Sequence, residues 1–573
     1  MRSRVLKSLL IAVVALIALA LAGAFILDRS QQPPRHRVFV GGRVLTMNPQ
    51  NAIAEAISLR SDRIEAVGSD EEIEALIEDG TVVVDLAGKT LMPGIIDAHG
   101  HYPGSGLATV AADLTSPPVG EVTQIDQLIA RLRERAEQTD SGRWVLGFGY
   151  DDTLVREKRH PSAADLDRAS SEHPIYIWHV SGHMGVGNSL ALAELGITRD
   201  TPDPEGGVIR KDPVSGEPTG LLEETAQQAA LAHAMNFSVL DFLGMVRDAS
   251  AEYAEVGVTT AQVGAAAVEM VQGLWLASKL GLIPFRLVVF PLYDEMAPKI
   301  LDGSFDPARY ESEMLEIGAV KIIADGSIQG YTGYLTEPYH VPFHGDANYR
   351  GYPTLKREDL VEEVAKLHGA GLQLAIHGNG DASIDDIIHA FREAQRRHPR
   401  DDARLIVIHA QMTREDQLDA MKELGITPSF FSAHTYYWGD RHWEIFMGPE
   451  RARRMSPTRS ALDKGVRFSV HLDTPVVPMQ PMLLVWSTVN RISSGGRVIG
   501  EEQRISPMQA LRAVTIDAAW QVFREQDLGS LEPGKLADLI VLDADPLARP
   551  EAIREIEVLE TVVGGRTIYR KEP

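Results

Sequence analysis

Two histidines, His99 and His101, follow an apolar run at residues 91–98 that is typical of a β-strand. Because residues i and i+2 of a strand share a face, both imidazoles point from the end of that strand toward one place. Imidazole is a common ligand of divalent metals, so the pair could hold one side of a metal ion. Two histidines at this spacing more often arise by chance or for packing, and the rest of the chain must decide.

Four more short apolar runs contain or precede a side chain that can bind a metal or transfer a proton. These side chains are Lys321, His377, His409 and the pair His471 and Asp473. Each histidine alone is more typical of a hydrogen-bonded packing residue than of a ligand. Together the set offers three or four imidazoles, one carboxylate and one lysine, which suits one or two divalent metals.

Lys321 lies inside the apolar run 319–324, and its ammonium would be repelled by a neighbouring divalent cation. The alternative is an ordinary solvated lysine, but an unpaired charge inside a buried parallel strand is costly. Burial favours the neutral amine, which can take up carbon dioxide as a carbamate. The carbamate is anionic and could bridge two metals.

The elements that must position these side chains alternate between strand-like and helix-like segments. Eight apolar runs are predicted as strands, at residues 91–98, 258–263, 285–290, 319–324, 372–376, 405–408, 427–432 and 466–470. Helical periodicity lies between them, for example at 357–368 and 382–396. This pattern predicts a (β/α)8 TIM barrel, whose active site lies at the carboxyl ends of the strands.

Both ends of the chain are strand-like and indicate a second, smaller unit. We predict one small β domain from residues 37–90 and 525–573, and a barrel from 91–524. The gap between the first two barrel strands is too long for one connection, so an insertion is predicted at about 113–250, with helices at 123–139 and 220–234. Insertions at this face commonly roof a substrate pocket.

Composition excludes several classes of function. The net charge of −24 is spread along the chain without a basic stripe, so nucleic acid is not an expected partner. The chain has no cysteine, which excludes disulfides and thiolate ligands. Any metal must therefore be held by His, Asp, Glu or a modified Lys.

The N-terminus predicts a location. Arg2, Arg4 and Lys7 precede residues 9–27, nineteen residues without a charge, and a polar linker reaches residue 36. This is typical of a cleaved export signal or of a retained membrane anchor, and the alternatives stay open. Either way the catalytic body is expected outside the cytoplasm, periplasmic or membrane-anchored.

Several motifs carry a resemblance to a known family. The matching stretches are Pro93 to His101, Val320 to Ser327, Ile376 to Asp381, Ile408 to Gln411, Asp473 to Val476, Ser181 to Leu192 and Leu531 to Leu539. By these motifs the chain resembles the metal-dependent amidohydrolases, in the branch of the N-substituted formamide deformylase-like proteins (amidohydrolase type 3 domain). The resemblance covers nearly everything after residue 37.

The resemblance implies a distorted barrel flanked by a small β-sandwich, and it implies roles for the residues above. His99 and His101 would bind one metal, His377 and His409 a second, and carboxylated Lys321 would bridge the two. The metal is expected to be zinc, one or two ions per chain, with carbon dioxide supplying the carbamate. A metal lowers the pKa of its bound water to about 7. Asp473, also counted among the metal residues, would take the proton from the attacking water and deliver it to the leaving nitrogen.

The predicted reaction is hydrolysis of a non-peptide C–N bond in a small amide or cyclic amide. An esterase, lactonase or phosphoesterase on the same centre, and an exported non-catalytic binding protein, are the alternatives. His183, His471 and Tyr331 are predicted substrate contacts; the last two stand where this branch usually has other residues. The expected partners are a small-molecule substrate and, through an uncleaved N-terminus, the membrane. A homo-oligomer stays open.

Overall fold

The computed structural model describes residues 33–572. The predicted export signal or anchor lies outside these residues, apart from its last linker positions. The strands are β1 (His36–Val40), β2 (Arg43–Leu45), β3 (Ile53–Ala54), β4 (Ala56–Arg60), β5 (Arg63–Gly68), β6 (Val82–Asp85), β7 (Thr90–Pro93), β8 (Ile95–Ile96), β9 (Ala112–Asp113), β10 (Val145–Tyr150), β11 (Ile175–His179), β12 (Met184–Gly187), β13 (Gly207–Lys211), β14 (Pro218–Glu224), β15 (Val258–Ala266), β16 (Arg286–Pro291), β17 (Leu315–Ile317), β18 (Val320–Ile323), β19 (Leu374–Gly378), β20 (Ile406–His409), β21 (Thr427–Phe430), β22 (Ser469–Val470), β23 (Leu539–Leu542), β24 (Val558–Val563) and β25 (Arg566–Arg570).

The α-helices are α1 (Asp70–Glu74), α2 (Ile125–Glu137), α3 (Ala163–Asp167), α4 (Ser189–Glu194), α5 (Gln228–Ala234), α6 (Val239–Glu255), α7 (Val268–Lys279), α8 (Ala297–Leu301), α9 (Arg357–Gly369), α10 (Asp381–Arg397), α11 (Glu415–Leu424), α12 (His434–Tyr437), α13 (Gly439–Arg441), α14 (Gly448–Ala452), α15 (Thr458–Asp463), α16 (Pro481–Asn490), α17 (Pro507–Ala513) and α18 (Ile516–Gln521). Short 3₁₀ segments occupy Gly104–Thr109, Thr225–Gln227, Pro307–Arg309, Glu501–Gln503 and Pro550–Glu555, and His442–Phe446 is a π-helical turn.

The two ends of the described chain meet in a pair of sheets. One sheet has the order β5-β4-β1-β6, and the other has the order β25-β24-β23-β7-β2-β3. β23 runs antiparallel to β7, with Ile540 opposite Met92. Phe39, Leu91 and Leu539 belong to one buried apolar cluster that both ends supply. The sequence-predicted domain boundaries stay predictions, but the pairing joins the same terminal segments.

Strands from the eight sequence-predicted regions, together with β17, which was not predicted, form two parallel sheets that follow chain order. The first sheet is β8-β15-β16-β17 and the second is β18-β19-β20-β21-β22. The helices predicted at 357–368 and 382–396 are confirmed as α9 and α10. Within residues 33–572 the strands do not form a closed ladder. The structure is therefore an α/β fold with parallel and mixed sheets.

The two parallel sheets are separated between β17 and β18, at the fourth predicted strand. The first predicted strand is itself divided between two sheets. β17 pairs with β16 while β18 pairs with β19, and a single bridge between Leu292 and Lys321 connects them. The strand predicted at 91–98 is divided at Gly94, because β7 joins the terminal sheet and β8 pairs with β15. A side chain at Gly94 would lie 2.1 Å from the methyl group of Thr259, so the backbone can turn there only without one.

Backbone hydrogen bonds between loops bring the ends of the last and first of these strands together. The amide of Asp473 donates to the carbonyl of His99 at 3.1 Å, and the amide of His101 donates to the carbonyl of Thr474 at 2.7 Å. The segments that carry the predicted metal residues are therefore held side by side by the main chain.

The predicted insertion forms its own mixed sheet, with the order β13-β14-β12-β11-β10-β9. The helix predicted at 123–139 is confirmed as α2. The helix predicted at 220–234 is wrong in its first half, since Pro218–Glu224 is β14 and only Gln228–Ala234 is α-helical. Leu221 and Leu222 enter two different apolar clusters, as alternation across a sheet requires.

No single helix within residues 33–572 is long and apolar enough to cross a membrane. The helical segments Thr225–Ala234 and Val239–Glu255 reach that length only as a pair bent by 105°.

A buried ion pair joins the first parallel sheet to the terminal sheets. Arg286 on β16 donates from Nε to Oδ2 of Asp538 at 2.8 Å and from Nη2 to Oδ1 at 3.1 Å. The same carboxylate accepts the amide of Gly564 at 2.7 Å. Both charged side chains are almost fully buried, so each depends on the other for its counter-charge.

We predict that Asp538→Asn lowers the free energy of unfolding by about 3 kcal/mol, because Arg286 would remain buried without a counter-charge. Urea unfolding followed by tryptophan fluorescence measures this change. Glu313→Gln is the matched control: Glu313 contacts the same guanidinium at 3.4 Å but is 64% exposed, and its loss should change little. Equal unfolding midpoints for the two variants would contradict the prediction.

Candidate metal centre

His99, His101 and Asp473 place three ligand atoms around one point. Oδ1 of Asp473 lies 3.2 Å from Nε2 of His101 and 3.6 Å from Nε2 of His99. Among the described residues, these three form a group whose ligand atoms all lie within 4.8 Å of one another. Both histidines lie beyond the end of β8 rather than on it, and Asp473 has a positive φ of 61°. A non-glycine residue in that region is strained, which is common where function fixes a side chain.

Lys321 lies on β18 and enters the same space. Its Nζ is 3.0 Å from Nε2 of His99, and the side chain is buried. Burial lowers the pKa of Lys321 to about 8. The neutral amine is therefore much more abundant near neutral pH than in an exposed lysine, as the carbamate hypothesis requires.

His377 and His409 complete the cluster from the next two strands. Their ring centroids are 4.5 Å apart, and the ring of His409 lies 5.5 Å from that of His99. Nε2 of His409 is 3.9 Å from Oδ2 of Asp473. His409 and Ala410 have φ values of 68° and 45°, so this strand also ends in strained backbone. The structure brings all six predicted metal residues together.

In each imidazole, the hydrogen-bond partner of Nδ1 determines that Nε2 is the nitrogen facing the centre. Nδ1 of His99 donates to Oε1 of Gln262 at 2.7 Å, and Nδ1 of His377 donates to Oδ1 of Asp325 at 3.1 Å. Carbonyl and carboxylate oxygens only accept, so the lone pair of each ring lies on Nε2. There it faces Nζ of Lys321 at 3.0 Å in His99 and Nδ2 of Asn379 at 3.3 Å in His377, two donors that a metal would displace.

His409 is oriented by a series of two hydrogen-bonded side chains. Its Nδ1 lies 3.0 Å from Nε2 of His471, whose Nδ1 lies 2.9 Å from Oγ of Ser429. When Nδ1 of His409 is the donor into this series, Nε2 of His409 keeps its lone pair toward the centre. His471 is fully buried. Its position suits support of His409 better than contact with a substrate.

Gln262, Asp325 and Ser429 were missed as functional residues by sequence reasoning. Asp325 lies in a quoted motif, but nothing in the sequence states its partners. It accepts the amides of Asn379 at 3.0 Å, Gly380 at 2.9 Å and Tyr334 at 3.0 Å besides the imidazole of His377. A polar residue within an apolar run is the one signal that could have indicated Gln262.

The electrostatics of the cluster favour neutral imidazoles around one anion. Burial lowers the pKa values of His99, His377 and His409 well below the usual range. Burial alone would raise the pKa of Asp473, but its contact with His101 and the nearby Lys321 outweigh burial and hold that pKa below the ordinary value. Neutral imidazoles with lone pairs and an ionised carboxylate are the forms that bind a divalent metal.

The donor set fits a divalent metal. Oδ1 of Asp473 is buried and has no well-formed hydrogen bond. A buried carboxylate oxygen without a donor is costly, and a cation among these nitrogen and oxygen ligands would satisfy it. His99, His101, His377, His409, Asp473 and a carboxylated Lys321 are therefore chemically suitable ligands.

The predicted substrate contacts His183 and Tyr331 lie in different loops, one in the insertion and one after β18. His183 comes from the insertion; its ring is 4.8 Å from that of His377, and its Nδ1 donates to Oε2 of Glu224 at 2.9 Å. Glu224, which sequence reasoning missed, has a strained φ of 50°. Tyr331 stacks on Phe343 with centroids 4.5 Å apart. Of His183 and Tyr331, only His183 lies against a predicted metal residue.

A second group of acids and histidine in the insertion does not have the character of a metal site. Asp151, Asp152 and His179 lie close together. The amide of Ser181 donates to Nδ1 of His179 at 3.1 Å, so Nε2 carries the proton and donates to Asp152 at 3.2 Å. Asp151 accepts Nη1 of Arg441 at 2.6 Å. The group is a hydrogen-bonded tie between the insertion and the loop after β21.

Solved structures share this fold. An uncharacterized metal-dependent hydrolase from Pyrococcus horikoshii OT3 superimposes with a TM-score of 0.71 at 24% identity, covering 90% of this chain and 99% of the other. An adenosine deaminase from Xanthomonas campestris with bound Zn has a TM-score of 0.54 at 12% identity, covering 93% and 92%. The fold is that of the metal-dependent hydrolases.

The sequence comparison is more specific. The amidohydrolase family model matches residues 82–569, and the chain is 31% identical over 559 residues to N-substituted formamide deformylase of Arthrobacter pascens, covering 94% of this chain and 99% of that protein. The chain belongs to the amidohydrolase family. It is a metal-dependent hydrolase that acts on carbon–nitrogen bonds other than peptide bonds, and the predicted resemblance is confirmed.

We predict that Asp325→Asn weakens metal retention by about 10- to 100-fold, because His377 loses the carboxylate that orients its ring. Metal per chain after dialysis against a graded series of chelator concentrations measures this change. Asp346→Asn is the control, since Asp346 is exposed and only accepts the amide of Asn348 at 2.8 Å. Retention equal to wild type would show that the ring of His377 needs no such support.

Proposed function

We propose that this protein hydrolyses the C–N bond of a small amide or cyclic amide at the centre formed by His99, His101, Lys321, His377, His409 and Asp473. The convergence of neutral, oriented imidazoles on a buried carboxylate and a buried lysine carries this proposal. Family membership supports the reaction class, and the deformylase relative supports amides, formamides among them, as the first substrates to test.

The ligands divide into two groups by position. His99 and His101 would hold one zinc ion, and His377 and His409 would hold a second. A bound divalent cation supplies Lewis acidity toward the substrate carbonyl and acidifies water near neutral pH. Zinc suits a set of imidazole and carboxylate ligands in a buried site, and no ligand here is a thiolate.

Lys321 would bridge the two ions after carboxylation. The neutral amine would attack carbon dioxide: a C–N bond forms as one C=O π bond becomes a C–O⁻, and one amine proton leaves to solvent. The product would be a carbamate, which offers two oxygens as ligands. The buried position of Nζ, 3.0 Å from His99, favours this reaction over a free ammonium.

Asp473 would be the general base and general acid of the reaction. Its Oδ1 lies between His99 and His101 and its Oδ2 faces His409, so the carboxylate reaches both halves of the centre. It takes a proton from the attacking water as a general base and returns it to the departing nitrogen as a general acid. His183 borders the same space next to His377 and would contact the substrate.

The finer architecture and the location are also proposals. We propose that the two parallel sheets act as one distorted (β/α)8 barrel, with the terminal sheets as a β-sandwich and the insertion as a roof. The uncharged residues 9–27 support export, with the catalytic body outside the cytoplasm.

We predict that Lys321→Ala loses bound metal and hydrolytic activity, because the bridging anion cannot form. Metal analysis, turnover and circular dichroism measure the three properties. A short-chain carboxylic acid such as propionate should restore part of the activity by replacing the carbamate. Lys299→Ala, at an exposed position on α8, is the control and should behave as wild type. Full activity in Lys321→Ala would exclude the bridge.

The substrate class is tested with a panel of formamides, acylated amines, hydantoin-like rings and simple esters. We predict turnover of at least one C–N substrate that chelation abolishes and added zinc restores. Asp473→Asn should reduce kcat for that substrate by about 10²- to 10⁴-fold. Turnover of esters without any amide would instead identify an esterase.

A further inference from the structure

A separate cavity of about 390 Å³ lies within the insertion. It lies between the last turn of α2, the start of β10 and the connection between α5 and α6, and it shares no residue with the metal centre. Its size falls within the range of small-molecule pockets. Its lining is apolar in part and charged in part.

Part of the cavity lining is apolar and aromatic. Trp144, Leu146 and Phe237 line it. Nε1 of Trp144 donates to Oε2 of Glu194 at 2.8 Å, which fixes the indole, and the ring of His233 lies 5.6 Å from it at a tilt of 38°. The cavity therefore has a rigid flat wall against which an apolar body could pack.

Two guanidinium groups with few protein partners also line the cavity. Arg135 makes one long hydrogen bond, from Nη1 to the carbonyl of Thr109 at 3.5 Å. The side chain of Arg143 is exposed, and within residues 33–572 neither arginine forms an ion pair with a carboxylate. A guanidinium offers five N–H donors in a planar fork that matches a carboxylate. The N–H donors of Arg135 and Arg143 therefore remain available to a ligand in the cavity.

The remaining charge limits what the ligand can be. Asp241 also lines the cavity, and its Oδ2 accepts from the amide of Ser238 at 3.0 Å and from its Oγ at 2.7 Å. Hydrogen bonds from Ser238, and then the two arginines, hold the pKa of Asp241 below its usual range. The lining carries two arginines and one carboxylate, so the charge of the cavity suits a monoanion better than a dianion.

We propose that this cavity binds a small organic carboxylate, with the carboxylate between Arg135 and Arg143 and an apolar body against Trp144. Inorganic phosphate has the wrong shape for the flat wall, and its second charge faces Asp241. This site is independent of the proposed reaction, since neither arginine contacts a metal residue.

Calorimetric titration of the intact protein with benzoate tests this proposal, with benzyl alcohol as the neutral ligand of similar shape and inorganic phosphate as the competing anion. Benzoate should bind most tightly of the three. Arg135→Gln and Arg143→Gln should each weaken benzoate binding by about tenfold. Arg133→Gln, on the same helix but outside the cavity, is the matched control and should bind as wild type; Arg133 instead donates to the carbonyl of Arg168 at 2.9 Å.

A carboxylate could also bind the metal centre, and the Lys321→Ala variant separates the two sites. Retained benzoate affinity in Lys321→Ala, with loss in the arginine variants, supports the cavity. The reverse pattern would overturn it, as would equal binding of benzyl alcohol, tighter binding of phosphate or no benzoate binding at millimolar concentration. Quenching of tryptophan fluorescence by benzoate should disappear in Trp144→Phe, and its persistence would locate the ligand elsewhere.

Discussion

One constraint governs the rest of this structure. The buried imidazoles of the metal centre must stay neutral, and each must present its Nε2 to the centre. Burial is the main source of neutrality, since it lowers the pKa values of His99, His377 and His409, and neighbouring Lys321 lowers them further. Burial does not choose the nitrogen. That choice comes from Gln262, Asp325 and His471, each of which comes from a different segment of the chain and occupies one Nδ1. The centre therefore requires correct register between strands that are distant in sequence.

Strand order explains how this register is obtained. Gln262 lies on β15 beside β8, and Lys321 on β18 is paired with Ala375 on β19. Parallel pairing aligns the carboxyl ends of consecutive strands, so a polar residue placed at each end reaches one common space. The strained residues His409, Ala410 and Asp473 show that the last residues leave ordinary strand geometry to reach it.

The sequence was a good guide wherever local periodicity and burial agree. The eight apolar runs and the helices α9 and α10 follow from alternation and helical spacing, and the six residues of the centre follow from their places at strand ends. The supporting residues could not be found in this way, because Gln262 and Ser429 are defined by contacts with distant strands. The segment 220–224 looked helical since Leu and Glu favour helices, yet pairing with β12 overrides that preference. The division at Gly94 likewise depends on a neighbour, Thr259, that only the folded chain supplies.

The antiparallel pairing of β7 with β23 has a consequence for how the protein is made. β7 immediately precedes β8 and the histidine pair, whereas its partner strand lies near the other end of the chain, after nearly all of the intervening sequence. Closing so long a loop is slow and entropically unfavourable until many contacts form at once. On a ribosome, the strand that leads into the first two ligands thus waits unpaired on one side until the last strands emerge. Full pairing of β7, the strand next to the first two ligands, therefore requires synthesis of the distant segment that carries β23.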